Sequence, residues 1–163
     1  MSEELEQFWG TAERYCALVE SLEELSRHEF LARLNLALPE LYLAALRLPT
    51  RFEDDEDPPE GISDEESWNL FQRVQSKLGD ADSYVVIFDP WDKAEEPAVA
   101  SLADDVANIY RDLKAVLADE RAERSAWDWR FAFTNHWGHH ATNALNATHW
   151  LLHSSAHWID PDE

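Results

Sequence analysis

Side chains able to do chemistry are concentrated near the C-terminus. Of the seven histidines in this 163-residue chain, all but His28 fall at His136, His139, His140, His149, His153 and His157. An imidazole can ligate a metal, carry a proton near neutral pH, or serve as a polar group in a core. Between Ser125 and Ile159 the only formally charged side chains are Asp128 and Arg130. Histidines four apart on a helix can turn their rings toward one ion. His149, His153 and His157, with His139 one or two turns away, therefore form a candidate site for a divalent metal. Ligands from other helices would have to complete it, and Asp104, Asp105 and Asp112 are the acidic candidates. No Glu-x-x-His pair of the di-iron bundle type occurs in this region. The structural alternative gives the same histidines hydrogen bonds to carboxylates or carbonyls in a polar layer, or sets them along a solvated edge.

The element that must position these residues is a helical region from about Ser125 to His157. At about 100° per residue, Trp127, Phe131, Thr134, Gly138, Ala141, Leu145, Thr148 and Leu152 share one face. Asn135, His139, Thr142, Asn146, His149, His153 and His157 step along beside it as a polar ladder, whereas His136 and His140 face elsewhere. Weak charge on so long a helix points to burial inside a bundle, covered by the more acidic helices that precede it.

Those preceding helices carry clear signals. Leu5, Phe8, Trp9, Ala12, Tyr15, Cys16, Val19 and Leu22 recur at helical spacing. Ser26 with Glu29 forms a capping box ahead of Phe30, Leu31, Leu34, Leu38, Leu41, Tyr42, Ala45, Leu46 and Leu48, a run that Pro39 should kink or divide. An acidic loop rich in proline is expected at about 49–62. Ser63 with Glu66 opens a third helix bearing Trp68, Phe71, Val74 and Leu78, closed by Gly79. Tyr84 to Phe88 has strand composition but, as a lone strand, no partner in the chain, so it reads as an extended apolar connection over the bundle, or an edge that pairs with another copy. Ser101 with Asp104 opens a fourth helix bearing Leu102, Val106, Ile109, Tyr110, Leu113, Val116 and Leu117.

Composition narrows the function classes. The net charge of -21 repels phosphate backbones and anionic membrane surfaces and attracts basic proteins or cations. Neither nucleic acid nor a membrane is an expected partner. The single cysteine, Cys16, excludes an intrachain disulfide and a cysteine-based zinc site, and sits on an apolar stripe as a structural thiol would. Met1 is followed by acidic residues rather than a basic region and an apolar run, so the expected location is cytoplasmic. No P-loop, dinucleotide fingerprint or Gly-x-Ser-x-Gly occurs, and four glycines leave little material for phosphate-cradling loops.

Two resemblances bear on function. The string from Arg130 to His136, Arg-Phe-Ala-Phe-Thr-Asn-His, resembles the arginine-then-histidine motif of the HEPN ribonucleases, although Phe131 stands where those enzymes carry a polar residue. Over most of its length the chain also resembles an uncharacterised family of bacterial proteins known as a domain of unknown function. That likeness rests on Tyr15-Cys16, on Leu41-Tyr42 through Leu48-Pro49, on Leu102 to Asp105, on the run Tyr110-Arg111-Asp112-Leu113-Lys114, and on His136-Trp137-Gly138 through Asn143-Ala144-Leu145 to His149. It implies a helical domain in a bacterial cytoplasm, with no activity to carry over. It also raises a polar network of Tyr110, Asp112 and Asn146, in which Asp112 or Tyr110 meets His139 or His149 across the bundle.

The expectation is therefore one all-α domain over 1–163, a bundle of about five helices around a long, weakly charged C-terminal helix. The leading functional reading is a non-enzymatic binding domain, of adaptor or immunity type, whose acidic surface engages a basic protein. The alternatives are a metal site on the histidine ladder and an RNA-cleaving site at Arg130 and His136. Oligomeric state is left open.

Overall fold

The computed structural model describes residues 2–50, 61–118, 126–155 and 159–162. Most of the expected acidic loop, and His157, lie outside them. The chain forms helix α1 (Glu3–Glu20), α2 (Arg27–Leu46), α3 (Asp64–Leu78), a hairpin of β1 (Ser83–Val86) and β2 (Ala98–Ser101), α4 (Leu102–Leu117), α5 (Ala126–Ala132) and α6 (Gly138–His153). Phe133–Trp137 is a π-helical turn that joins α5 to α6 without a break. The protein is mostly helical, with a long C-terminal helix and one small sheet.

Helix starts follow the caps. Ser26 with Glu29 and Ser63 with Glu66 make complete capping boxes, each residue of this kind contributing about 1 kcal/mol. Gly79 ends α3 at a φ of 56°, a conformation that disfavours any residue with a Cβ. Helix α1 packs on α2 and α4, α6 packs on α2 and α4, and α3 covers α4. The enclosed core contains Phe8, Tyr15, Phe30, Leu34, Leu38, Ile109 and Trp137, all fully buried. The Tyr15 hydroxyl donates to the Val106 carbonyl at 3.2 Å, tying α1 to α4.

Three details differ from the sequence reading, and one expectation is narrowed. Pro39 lies inside α2 without dividing it. A proline there forfeits about 3 kcal/mol, which burial of Leu34, Leu38, Leu41 and Ala45 on either side outweighs. Helix α3 buries Leu70 with Val74 and Leu78, and leaves Trp68 exposed, stacked on Phe71.

The Tyr84 segment does have a partner in the chain. β1 pairs antiparallel with β2, with Tyr84 opposite Ala100 and Val85 opposite Val99. The partner Ala98-Val99-Ala100-Ser101 escapes sequence inspection because it is short and half alanine, a weak strand former.

The buried face of the last helix is also displaced by one residue in its first half. Downstream, Gly138, Ala141 and Thr148 are buried as their spacing requires, but upstream the core takes Ala126, Trp129 and Phe133 instead of Trp127, Phe131 and Thr134. The π turn is the cause: it admits one extra residue, so an α-helical wheel laid from one end loses phase at the other. Gly138 closes the turn, its N–H bonded to the Phe133 carbonyl. A Cβ at Gly138 would press into that oxygen and lie 3.1 Å from two Phe133 ring carbons.

Candidate functional site

The first turn of α4 carries the chemistry. Ser101 caps the helix by accepting from the Asp104 N–H at 3.2 Å. Asp82 in turn fixes Ser101: it is buried, accepts from the Ser101 hydroxyl at 3.0 Å and from the Ala103 N–H at 2.8 Å. The hairpin and the start of α4 are thereby locked together, which directs Asp105 inward and leaves Asp104 exposed.

Asp105 is 3% exposed and sits in phase with Leu102, Val106 and Ile109 on the core side of α4. A carboxylate at such a position demands partners. It has two: the Tyr84 hydroxyl donates to Oδ2 at 2.5 Å, and His140 Nδ1 lies 2.8 Å from Oδ1. Two turns along α4, Asp112 Oδ2 is 2.6 Å from His136 Nδ1. The two imidazoles, four apart across the junction of the π turn and α6, stand with ring centroids 5.1 Å apart. Two carboxylate–imidazole pairs thus run side by side between α4 and the C-terminal helix.

In the buried set of Asp105, His140 and Tyr84, protonation is set by burial against hydrogen bonding. Burial pulls the His140 pKa down, but the Asp105 bond and charge, with Asp104 and Asp112 behind it, win and raise it above its ordinary value. Burial raises Asp105, and outweighs the bonds from His140 and Tyr84 that favour its ionised form. Tyr84 is pushed far above the ordinary phenol value by burial and by the same carboxylate. A phenol in that state donates its proton in the hydrogen bond and stays neutral.

A cleft of about 530 Å³ opens over these groups, lined by Asp104, Asp105, His136, His139 and His140 with Phe71, Phe88 and Val99 among its apolar walls. One ligand atom each from Asp104, Asp105 and His140 lies within 4.8 Å of the others, a spacing that could hold a metal ion.

The residues singled out from spacing are dispersed. His139 is exposed and reaches this cleft. His149 and His153 are exposed near the C-terminal end of α6, ring centroids 5.0 Å apart, and His157 lies outside the described residues. Asp112 does meet a histidine, but it is His136, not His139 or His149. Tyr110 instead donates to Glu20 at 2.8 Å, joined there by Lys114 at 3.2 Å. Asn146 is exposed and lines a second cleft with Tyr84, Val85 and Trp150. Arg130 donates to the Ala45 and Leu46 carbonyls at 2.8 and 2.5 Å, closing the C-terminus of α2, while His136 is held by α4. Burial pushes the Cys16 thiol up to about 12, which leaves no thiolate for nucleophilic chemistry. A further surface groove carries Arg27, Arg73 and Lys77, and these are engaged by Asp80, Glu23 and the Leu25 carbonyl.

The fold and cleft together define a mostly helical domain in which a two-stranded hairpin roofs a polar seam between two helices. The chain belongs to the family described as domain of unknown function DUF5063, whose model matches residues 1–154. The crystal structure of protein BF1032 from Bacteroides fragilis is similar, with 25% sequence identity, a TM-score of 0.79, and coverage of 97% of this chain and 98% of that one. No functionally curated protein matches the chain. Among the described residues, no helix is long and apolar enough to cross a membrane.

Proposed function

We propose that the protein is a binding domain whose hairpin side docks a basic protein partner. The carrying observation is a band of exposed apolar side chains across the hairpin. Val85 and Val99, cross-strand partners, are 67% and 76% exposed. Val85 shares a cleft with Trp150, Val99 shares one with Phe88 and Phe71, and Phe71 stacks on Trp68. An apolar strip of this kind marks an interaction surface when it is contiguous and rimmed by polar residues. The rim is acidic: Asp89, Asp92, Glu96 and Asp104 are exposed beside it, and Glu95 is half-buried.

Charge selects the occupant. A second copy would bring another -21 to the same face, whereas a basic partner gains steering and complementarity. The apolar centre with its charged surround is the division of labour seen in ordinary interfaces.

The test is capture from the host at low and moderate salt with the wild-type chain and the variant Val85→Ser/Val99→Ser, followed by titration of each captured protein after purification. The expected partner is a basic protein whose affinity falls at least tenfold in the variant and falls again as salt rises. A partner indifferent to both changes, or none under either condition, overturns the reading.

A further inference from the structure

We infer that Asp104, Asp105 and His140 form a site for one divalent transition ion of the Mn2+ or Zn2+ class, distinct from the exposed ladder at His149 and His153 and independent of any protein partner.

Donor type and placement carry the inference. The three residues offer two carboxylates and one imidazole, with ligand atoms within 4.8 Å of one another. Ions bound at about 2.0–2.2 Å place their ligand atoms a little over 3 Å apart, so modest side-chain closure completes the contact. Mixed oxygen and nitrogen donors suit Mn2+ and Zn2+, and the absence of thiolate from the set argues against the softest ions. His140 must enter as the neutral imidazole, and the proton it releases passes to solvent in the cleft.

The surroundings are those of a supported site. Metal-binding histidines and carboxylates are oriented by further hydrogen bonds. Asp105 is held by the Tyr84 hydroxyl, its backbone is fixed in the first turn of α4, and the rotation of that turn is set by Ser101 and buried Asp82. The adjacent His136, locked to Asp112, limits how far His140 can swing. Asp104 faces the open cleft, which gives an ion a route in and leaves room for water in the remaining positions. His149 and His153 lack this support: both are exposed, and no carboxylate bond to either occurs among the described residues.

Titration of the untagged, metal-stripped chain with Mn2+ and with Zn2+, each followed calorimetrically in moderate salt with excess Mg2+, tests the site. One ion per chain is expected for at least one of the two metals. Affinity should fall tenfold or more in Asp104→Asn, an exposed change that leaves the fold intact, and similarly in His140→Gln, with circular dichroism checking the fold. The double variant His149→Ala/His153→Ala should bind as the wild type does. Failure of both ions to bind stoichiometrically, binding unchanged in Asp104→Asn, or binding lost in the ladder variant would each overturn the assignment.

Discussion

His140 Nδ1 and Asp105 Oδ1 lie 2.8 Å apart across two helices, with the carboxylate shielded from water and the imidazole at the edge of the cleft. The raised pKa of His140 means that the folded chain holds a proton at pH values where the unfolded chain has released it. The stabilising contribution is therefore complete below the ordinary value of 6.5 and is lost as pH rises through the folded value. Asp105, also raised, adds a slope of the same sign at lower pH. The thermal midpoint should fall between about pH 6 and about pH 8, and His140→Gln should flatten that decline. A wild-type midpoint that rises through the interval, or a variant with the same slope, would contradict the pairing.

Gly138→Ala offers a sign test of the π turn. In an ordinary helix interior the exchange stabilises by up to about 1 kcal/mol. Here the new methyl meets the Phe133 carbonyl and ring, and crowding of that kind costs about 1–3 kcal/mol. Chemical denaturation should show a less stable protein with unchanged m-value, and a more stable one would mean that the turn is not π-helical.

Arg130→Ala removes the donor that closes α2 through two backbone carbonyls. A loss of about 1–3 kcal/mol in unfolding free energy is expected for such charge-assisted bonds. Both bonds come from the one nitrogen Nη1, and Arg130→Lys, whose ammonium sits on a shorter side chain, should recover only part of the loss. A ribonucleolytic role predicts something else: RNA cleavage abolished by the change, with stability preserved.

The exposed pair His149 and His153 should be replaceable. His149→Ala/His153→Ala is expected to alter unfolding free energy by no more than about 0.5 kcal/mol, measured by urea titration at neutral pH. A much larger loss would show that these rings help to hold the end of α6.

Much of the helical scaffold was legible because α2, α3 and α4 announce themselves twice, by a serine cap and by a periodic apolar stripe. The α1 stripe from Leu5 to Leu22 is buried apart from Trp9, which is half-buried. The polar seam was harder. His136 and His140 find their carboxylates 24 and 35 positions away along the chain, on another helix, and no local spacing encodes that pairing. One clue was present: Asp105 falls in the apolar phase of α4, three residues after Leu102 and four before Ile109, where an unpartnered carboxylate would be too costly to bury. The histidine ladder was read inward because its neighbours carry no charge. Its outward positions are filled by asparagine, threonine and histidine, polar side chains that water solvates at an exposed surface.

The widened turn at Phe133–Trp137 also governs how relatives of this chain should be compared. One residue there separates two segments that each face the core correctly but are out of phase with each other. A relative without that residue would close to a plain α-helix with Trp129 and Phe133 still inside, whereas one that kept the residue in a plain α-helix would turn them outward. A single-position gap in an alignment at this point therefore records a conserved geometry, and forcing the columns to match without it would pair buried tryptophans with surface residues.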